Sequence, residues 1–315
     1  VRELIMDIQI VSNDFLENIF ILDEEDESFY YFLIDSSNFL GVENFLKEFP
    51  LEGGNYINLY ADFSENLQEN GALLYSFTNK ECLNNIEQIK RIMVCGGFNF
   101  FNSNFEMEDI EDHLEDLMEI KQPNGKSALF RFQDNFAFHA TVSVINSLKW
   151  KQVLSYKINY WIWQNVNNVF YRIDNILNNR TKLTTLSFSK EEFEKINLNL
   201  KPLRLMPLLK EFDENLKELQ FYELYDIAQK LLEQAKNHAI VSFEDEVLFS
   251  TLYLKFGESM LIDGPIKKAL NKTQMTNMSF QKTTDEIDLV ELDNWYTDFV
   301  DIRVKNDLAK GIRNE

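Results

Sequence analysis

The sequence predicts an α+β protein: an N-terminal mixed α/β lobe with a central sheet, followed by a small C-terminal helical bundle. Through residues 1–175, short strand-like apolar runs alternate with helix-like segments, which is typical of a sheet covered by helices. From residue 186 onward, apolar residues recur at intervals of three and four, the period of an amphipathic helix. A chain of 315 residues is also long for one hydrophobic core, so two lobes are expected.

The net charge of the chain indicates which classes of molecule it is expected to bind. The chain carries 52 Asp and Glu residues against 31 Lys and Arg residues, a formal net charge of −21. A surface of this charge repels phosphate backbones, and no basic patch interrupts it, so nucleic-acid binding is not expected. The acidic excess favours a basic partner, because long-range attraction accelerates the encounter of opposite charges.

The number of cysteines and the hydropathy of the chain predict the cellular compartment of the protein. Cys82 and Cys95 are the only cysteines, too few for a disulfide framework, which fits a reducing environment. No apolar segment approaches the ~18 residues of a membrane span, and no secretory signal is visible. The expected location is the cytoplasm, without membrane association.

The first lobe begins with three predicted strands, separated by turns and helices. They are Phe29–Ile34, Tyr56–Ala61 and Ala72–Phe77. The first is a continuous apolar run, as expected of a strand buried on both faces. It is preceded by an acidic run over residues 23–27, predicted to be a solvated turn, and followed by a helical stripe that Pro50 ends.

The middle of this lobe is predicted to contain two helices and three further strands. The helices are Cys82–Met93 and Phe105–Leu117, the second with an apolar and an acidic face. The strands are Phe98–Phe101, Val153–Trp163 and Val169–Ile173, of which the last two, rich in aromatic and β-branched residues, are expected to close the sheet.

The most informative stretch of the lobe lies between Met118 and Asn135. Asn124-Gly125 separates two runs of alternating character, and this dipeptide is the strongest short-range signal for a β-hairpin. An apolar segment follows at once, so Asp134 or Asn135 is predicted to cap a helix. Arg131 and Asp134 are therefore expected beside each other where the strand passes into the helix.

The second lobe is introduced by a polar linker over Asn175–Thr185 and a capping box, Ser189–Glu192. Apolar residues at helical spacing then predict a bundle over residues 186–270. Its helices are expected at Leu203–Leu219, Phe221–Asn237 and Phe243–Phe256.

The last part of the chain, residues 271–315, is predicted to be a flexible connection and a C-terminal amphipathic helix. Asn271–Thr284 is polar and loop-like in composition, and an apolar stripe follows. Its members are Leu292, Trp295, Phe299 and Ile302. We expect this stripe to dock on its own bundle rather than on a partner, because a free stripe containing Trp invites aggregation.

The motif around the hairpin resembles a known family. An apolar strand, a Gly-containing turn, an aromatic-Arg-aromatic-x-Asp sequence at residues 130–134 and then a helix are similar to the effector chaperone (adaptor) family of bacterial type VI secretion systems. The resemblance extends from Phe29 to Leu270. Other segments that carry it are Phe29–Asp35, Asn70–Tyr75, His238–Ser242 and Glu244–Phe249; the chain departs from the family pattern at Ala72, Asn135 and Ala239, where the family has Pro, Pro and Gly.

The resemblance implies a protein that is not an enzyme and needs no cofactor. Members of the family bind a specific toxic effector in the cytoplasm and help to load it onto the trimeric valine-glycine-repeat spike. The residues assigned to partner binding are Asp35, Arg131, Phe132 and Asp134. Arg131 would present its guanidinium to a carboxylate or carbonyl of the partner. The alternative is a purely structural role for Arg131 and Asp134, as a salt bridge or a helix cap.

Two other functions are kept as hypotheses. The first is a metal-dependent hydrolase that uses the carboxylates around His113, since Asp109 and Asp116 each lie about one helical turn from it. A metal would need further ligands from a second element, and a solvated helix face is the plainer interpretation. His139 is expected at the edge of the core and His238 at a helix C-terminus. The second hypothesis is a structural component of the secretion apparatus.

Overall fold

The computed structural model describes residues 8–11, 28–95, 98–165, 169–175, 185–276 and 278–297. The chain divides into two compact units, Val1–Leu200 and Lys201–Glu315. All strands of the described residues lie in the first unit, and the described residues of the second are helices and their connections. The α+β fold class is therefore confirmed. None of the described helices is both long and apolar enough to cross a bilayer.

The first unit is built on a seven-stranded sheet in which every pair of neighbouring strands is antiparallel. The strand order is β1-β9-β8-β5-β2-β4-β3. The bounds are Gln9–Val11 for β1, Phe29–Asp35 for β2, Asn55–Asn58 for β3, Ala72–Phe77 for β4, Phe98–Ser103 for β5, Tyr160–Gln164 for β8 and Phe170–Asp174 for β9.

Strand β2 has the two-sided burial that its apolar run predicts. Successive side chains of a strand point to opposite faces of the sheet. Tyr31 and Leu33 accordingly enter one apolar cluster, while Tyr30, Phe32 and Ile34 enter the cluster on the other face. Both faces are covered from Tyr30 to Asp35, where every residue is buried, and β2 lies inside the sheet between β4 and β5.

The predicted hairpin is confirmed, but it lies outside the large sheet. Its strands, β6 (Glu119–Lys121) and β7 (Ser127–Leu129), form a three-stranded sheet with β10 (Leu186–Ser187), in the order β10-β6-β7. Gly125 has φ +79°, the left-handed conformation that glycine adopts without strain, and its N–H donates to Gln122 O at 2.9 Å. The hairpin is thus separate from the large sheet, and β2 is an inner strand of that sheet.

The helices of the first unit cover the sheet, and their bounds correct two predictions. Residues 153–157 do not belong to a strand, because Trp150, Val153 and Leu154 share the buried face of a helix. The segment predicted as one helix over residues 82–93 is two, with the buried Asn85 between them. The helices are α1 Val42–Glu48, α2 Glu65–Glu69, α3 Asn79–Asn84, α4 Ile86–Val94, α5 Met107–Met118, α6 Asn135–Val142 and α7 Ser147–Leu154, with a 3-10 helix at Ser36–Phe39.

The boundary between the units falls inside a long helix, α8 (Lys190–Phe212). The predicted capping box at its start is confirmed: Ser189 N donates to the Glu192 carboxylate at 2.8 Å, and Glu192 N donates to Ser189 Oγ at 3.2 Å. The composition changes near residue 186, yet Phe188 and Ile196 belong to the core of the first unit. The predicted linker lies mostly in residues 176–184, which are outside the described residues, as is the acidic run 23–27.

The second unit is helical, as predicted, but it includes the segment predicted to be a flexible connection. Residues 271–276 continue a helix whose buried face includes Leu270 and Thr273, and Phe280, fully buried, begins another. The segment was predicted to be a loop because most of its residues are polar and only a few apolar side chains hold the helices in place. The helices are α9 Phe221–Asn237, α10 Phe243–Phe256, α11 Ser259–Ile262, α12 Gly264–Thr276 and α13 Phe280–Thr284, with a 3-10 helix at Glu214–Glu218.

The C-terminal stripe docks on its own unit as far as the structure describes it. Residues 289–297 are helical, and Leu292 and Trp295 pack against an apolar cluster to which α9, α10, α11, α12 and α13 contribute. Phe299 and Ile302 lie outside the described residues.

Candidate functional site

The candidate site lies where β2 ends and the chain turns into the 3-10 helix. Asp35 caps this helix: its Oδ1 accepts hydrogen bonds from Ser37 N at 3.2 Å and Ser37 Oγ at 2.6 Å. The Asp35 residue is only 2% exposed. A carboxylate this deeply buried needs partners for both oxygens, because an unpaired buried charge is strongly destabilising.

The second oxygen of Asp35 is bound by Arg131, which lies 96 residues further along the chain. Arg131 Nη2 donates to Asp35 Oδ2 at 2.9 Å. The two partners differ in accessibility, since the Arg131 side chain is 46% exposed and that of Asp35 is 2% exposed. The guanidinium is therefore anchored from below by a buried charge, while part of its surface faces solvent.

Asp134 has the predicted capping role but does not form an ion pair with Arg131. It caps α6, as expected, since its Oδ1 accepts from Phe136 N and Ala137 N, each at 3.0 Å. The ion pair of Arg131 is made with Asp35 rather than with Asp134, because the capping bonds direct this carboxylate into the helix start. Burial raises the pKa of the Asp134 carboxyl, and the nearby Asp35 carboxylate raises it further.

Phe132, also predicted to bind a partner, is fully buried and belongs to the core of the first unit. In this conformation it offers no surface to another protein. Its ring packs at right angles to that of Phe130, and its carbonyl accepts a hydrogen bond from Asn99 Nδ2 at 2.6 Å. Phe132 therefore acts by fixing the backbone that carries Arg131.

Three residues of the site have no signal in the sequence. Tyr60 and Gln133 are buried and exchange hydrogen bonds: Gln133 Nε2 donates to Tyr60 Oη at 2.9 Å, and Tyr60 Oη lies 3.1 Å from Gln133 Oε1. Burial raises the pKa of Tyr60 to about 12, so its phenol is protonated at neutral pH. Asn99 binds the carbonyls of Phe132 and Gln133. Only Gln133 lies within the predicted motif, at its unspecified position.

We call Asp35, Tyr60, Arg131, Gln133 and Asp134 the Arg131 cluster. It combines one half-exposed cation with two carboxylates and a protonated phenol on three separate chain segments. A guanidinium held in this way is suited to binding a carboxylate or a carbonyl through two parallel N–H donors. The network beneath it restricts the motion of the Arg131 side chain, which lowers the entropy lost on binding.

The histidines do not form a second site. His113 lies on the buried face of α5, where Nε2 donates to Val153 O at 2.8 Å, and burial lowers its pKa to about 4. Its ring thus points away from the exposed carboxylates of the same helix, and no group of three or more metal-ligating side chains occurs among the described residues. His139 accepts from Trp163 Nε1 at 3.1 Å, and His238 terminates α9, each in the place predicted.

Part of the chain matches a known protein family. Residues 30–152 match a protein family described as a domain of unknown function (DUF4123). The matched range includes every member of the Arg131 cluster. Comparison with curated proteins and with solved structures finds no significant match.

Proposed function

We propose that this chain is a chaperone or adaptor without enzymatic activity, which binds a specific toxic effector of a type VI secretion system in the bacterial cytoplasm. It would promote loading of that effector onto the secreted spike. The observation that carries the proposal is the half-exposed Arg131, ion-paired at 2.9 Å to the buried Asp35. The resemblance of the surrounding motif to the effector chaperone family supplies the biological role.

The physical argument concerns how Arg131 is held. A surface arginine of ordinary mobility gains little from one ion pair, because ordering its side chain offsets the attraction. Here Asp35 has already restricted the Arg131 side chain. Among the described residues, Arg131 makes its side-chain hydrogen bond to Asp35 through Nη2 alone. The remaining N–H groups are then available to a partner at a small entropic cost, as at the arginine hot spots of protein interfaces.

The family match supports the proposal in one respect. It overlaps the segment that resembles the effector chaperones and includes both Asp35 and Arg131. The description of the matched family gives no function, so the role in secretion rests on the resemblance and on the geometry of the cluster.

The test is affinity capture of the tagged full-length chain from its source bacterium, with bound proteins identified by mass spectrometry. The proposal predicts one protein with a toxin domain, together with the spike protein. Arg131→Ala is expected to reduce recovery of the toxin about tenfold or more, with a smaller effect for Arg131→Lys. Arg172→Ala is the matched control, because Arg172 is also half-buried and paired with a carboxylate, Asp174, at 2.7 Å.

Two results would contradict the proposal. Recovery of neither a toxin nor a spike protein would remove the role in loading. Recovery of many apparatus proteins without any toxin would favour a structural component of the apparatus instead. If toxin binding is retained in Arg131→Ala while its melting temperature falls, the Arg131–Asp35 pair is structural only, and the binding surface lies elsewhere.

A further inference from the structure

A groove with a cavity volume of about 580 Å³ opens on the first unit, beside the hairpin. It is bounded by α5, by β7 and by the loop that follows β3. Apolar side chains form much of its lining, including Leu59, Met118 and Leu129. The groove is therefore suited to an apolar side chain of a ligand.

The rim of the groove is acidic. Asp62, Glu111 and Glu115 line it, and among the described residues no Lys or Arg side chain lies within 4.0 Å of their carboxylate oxygens. Burial raises the pKa of Glu111, and repulsion from Glu115 and other nearby carboxylates raises it further. A cation placed here would relieve this repulsion, which makes the rim complementary to a basic ligand. Glu119 also lines the groove, but Lys121 neutralises it.

One wall of the groove is an open strand edge. β7 is the last strand of the small sheet, and Phe130 N donates to Met118 O while Gln122 N donates to Lys126 O. Hydrogen-bonded and non-bonded pairs alternate along an antiparallel ladder. Ser127 and Leu129 therefore direct their N–H and C=O groups away from β6, and no described strand pairs with them.

We propose that this groove binds an extended peptide segment with alternating basic and apolar residues, which adds a strand to the edge of β7. The apolar side chains enter the groove between Leu59, Met118 and Leu129, and the basic side chains reach Asp62, Glu111 and Glu115. The backbone of the segment pairs with Ser127 and Leu129. This inference is independent of the proposed function, since it concerns the chemistry of the segment and not the protein that supplies it.

The probe is a fluorescein-labelled heptapeptide that alternates lysine and valine, titrated with the full chain and followed by fluorescence anisotropy. We expect saturable binding, about tenfold weaker when salt is raised from about 50 to about 200 mM, because the rim charges are exposed. A peptide with glutamate in place of lysine should not bind. A peptide of the same composition with its lysines grouped at one end should bind at least about tenfold more weakly, because it cannot alternate.

Two variants separate the groove from the overall charge of the protein. Glu111→Gln with Glu115→Gln is expected to weaken binding about tenfold without lowering the melting temperature, since these carboxylates have no ion pair to lose. Glu43→Gln with Glu48→Gln changes the net charge equally on α1, where both glutamates are exposed. Equal weakening by both pairs of substitutions would mean non-specific attraction and would overturn the proposal.

Backbone methylation of the probe tests strand addition. In a strand, residues that pair with one edge all have side chains on the same face. Methylation of the valine nitrogens and methylation of the lysine nitrogens therefore block opposite edges, and we expect only one of the two peptides to lose binding. If both bind like the parent, the segment does not pair with β7. Failure of the peptide with successful capture of a toxin refutes this inference alone, and the reverse result refutes only the proposed function.

Discussion

Acidification should destabilise the first unit through His113, and a His113→Gln variant should be protected from this effect. His113 is 4% exposed and donates from Nε2 to a backbone carbonyl, so the folded protein holds it neutral. Glutamine is able to place an N–H donor near the position of Nε2 but does not titrate. The difference between the two proteins therefore isolates the histidine from the many carboxylates that titrate in both.

The magnitude follows from the two pKa values of the imidazole. Burial lowers the pKa of His113 from 6.5 to about 4, so the unfolded chain takes up the proton first. The contribution of neutral His113 to the free energy of unfolding is fully present above pH 6.5. It is lost as the pH falls towards 4, at up to about 1.4 kcal/mol for each pH unit. Between pH 7 and pH 5.5 the wild type should lose about 1.2 kcal/mol more than His113→Gln.

The assay is urea unfolding followed by tryptophan fluorescence. Three of the four tryptophans, Trp150, Trp161 and Trp163, belong to the cluster that surrounds this part of α5, so the signal reports mainly on the first unit. Measurements down to pH 5.5 stay above the isoelectric point of about 4.6. If the unfolding free energies of the two proteins run parallel with pH, His113 is accessible to protons in the folded state and the argument fails.

Three further substitutions test other parts of the fold. Gly125→Val should lower the free energy of unfolding by about 1–3 kcal/mol through backbone strain alone, because a Cβ there meets nothing within 4 Å; a thermal melt equal to that of the parent would refute the turn. Phe280→Ala should cost about 3–5 kcal/mol in chemical unfolding of the second unit, whereas an exposed, flexible segment would lose almost nothing. Lys201→Ala should cost about 3 kcal/mol at pH 7, because it leaves the buried Glu246 unpaired, and less at pH 5; a loss that does not change with pH would contradict this.

Local sequence patterns predict much of the fold. The apolar run of β2 specifies a strand without a solvent face, and Asn124-Gly125 specifies a tight turn. The capping box at Ser189 and the cap at Asp134 mark helix starts. Each of these signals lies within a few neighbouring residues, which is why the fold class and most elements could be predicted.

Helices with few apolar residues are the elements that the sequence concealed. In α13, the backbone N–H groups of Phe280 and Gln281 donate to the Asp245 carboxylate at 3.0 and 2.8 Å. Asp245 belongs to α10, 35 residues earlier, so the helix start is stabilised by a partner that no local pattern contains. The polar composition of residues 271–284 therefore did not predict that this segment packs as helices.

The sequence alone determined the segment that carries Arg131, since an alternating run, a turn and a helix cap position that residue at a strand-to-helix junction. Only the tertiary structure decided its partner. Asp35 ends the central strand 96 residues away, and the antiparallel order β5-β2-β4 carries it to the place where the chain returns after β7. Pairings of this kind depend on which strands are neighbours, and strand order is set by the packing of the whole lobe rather than by the residues on either side of each partner.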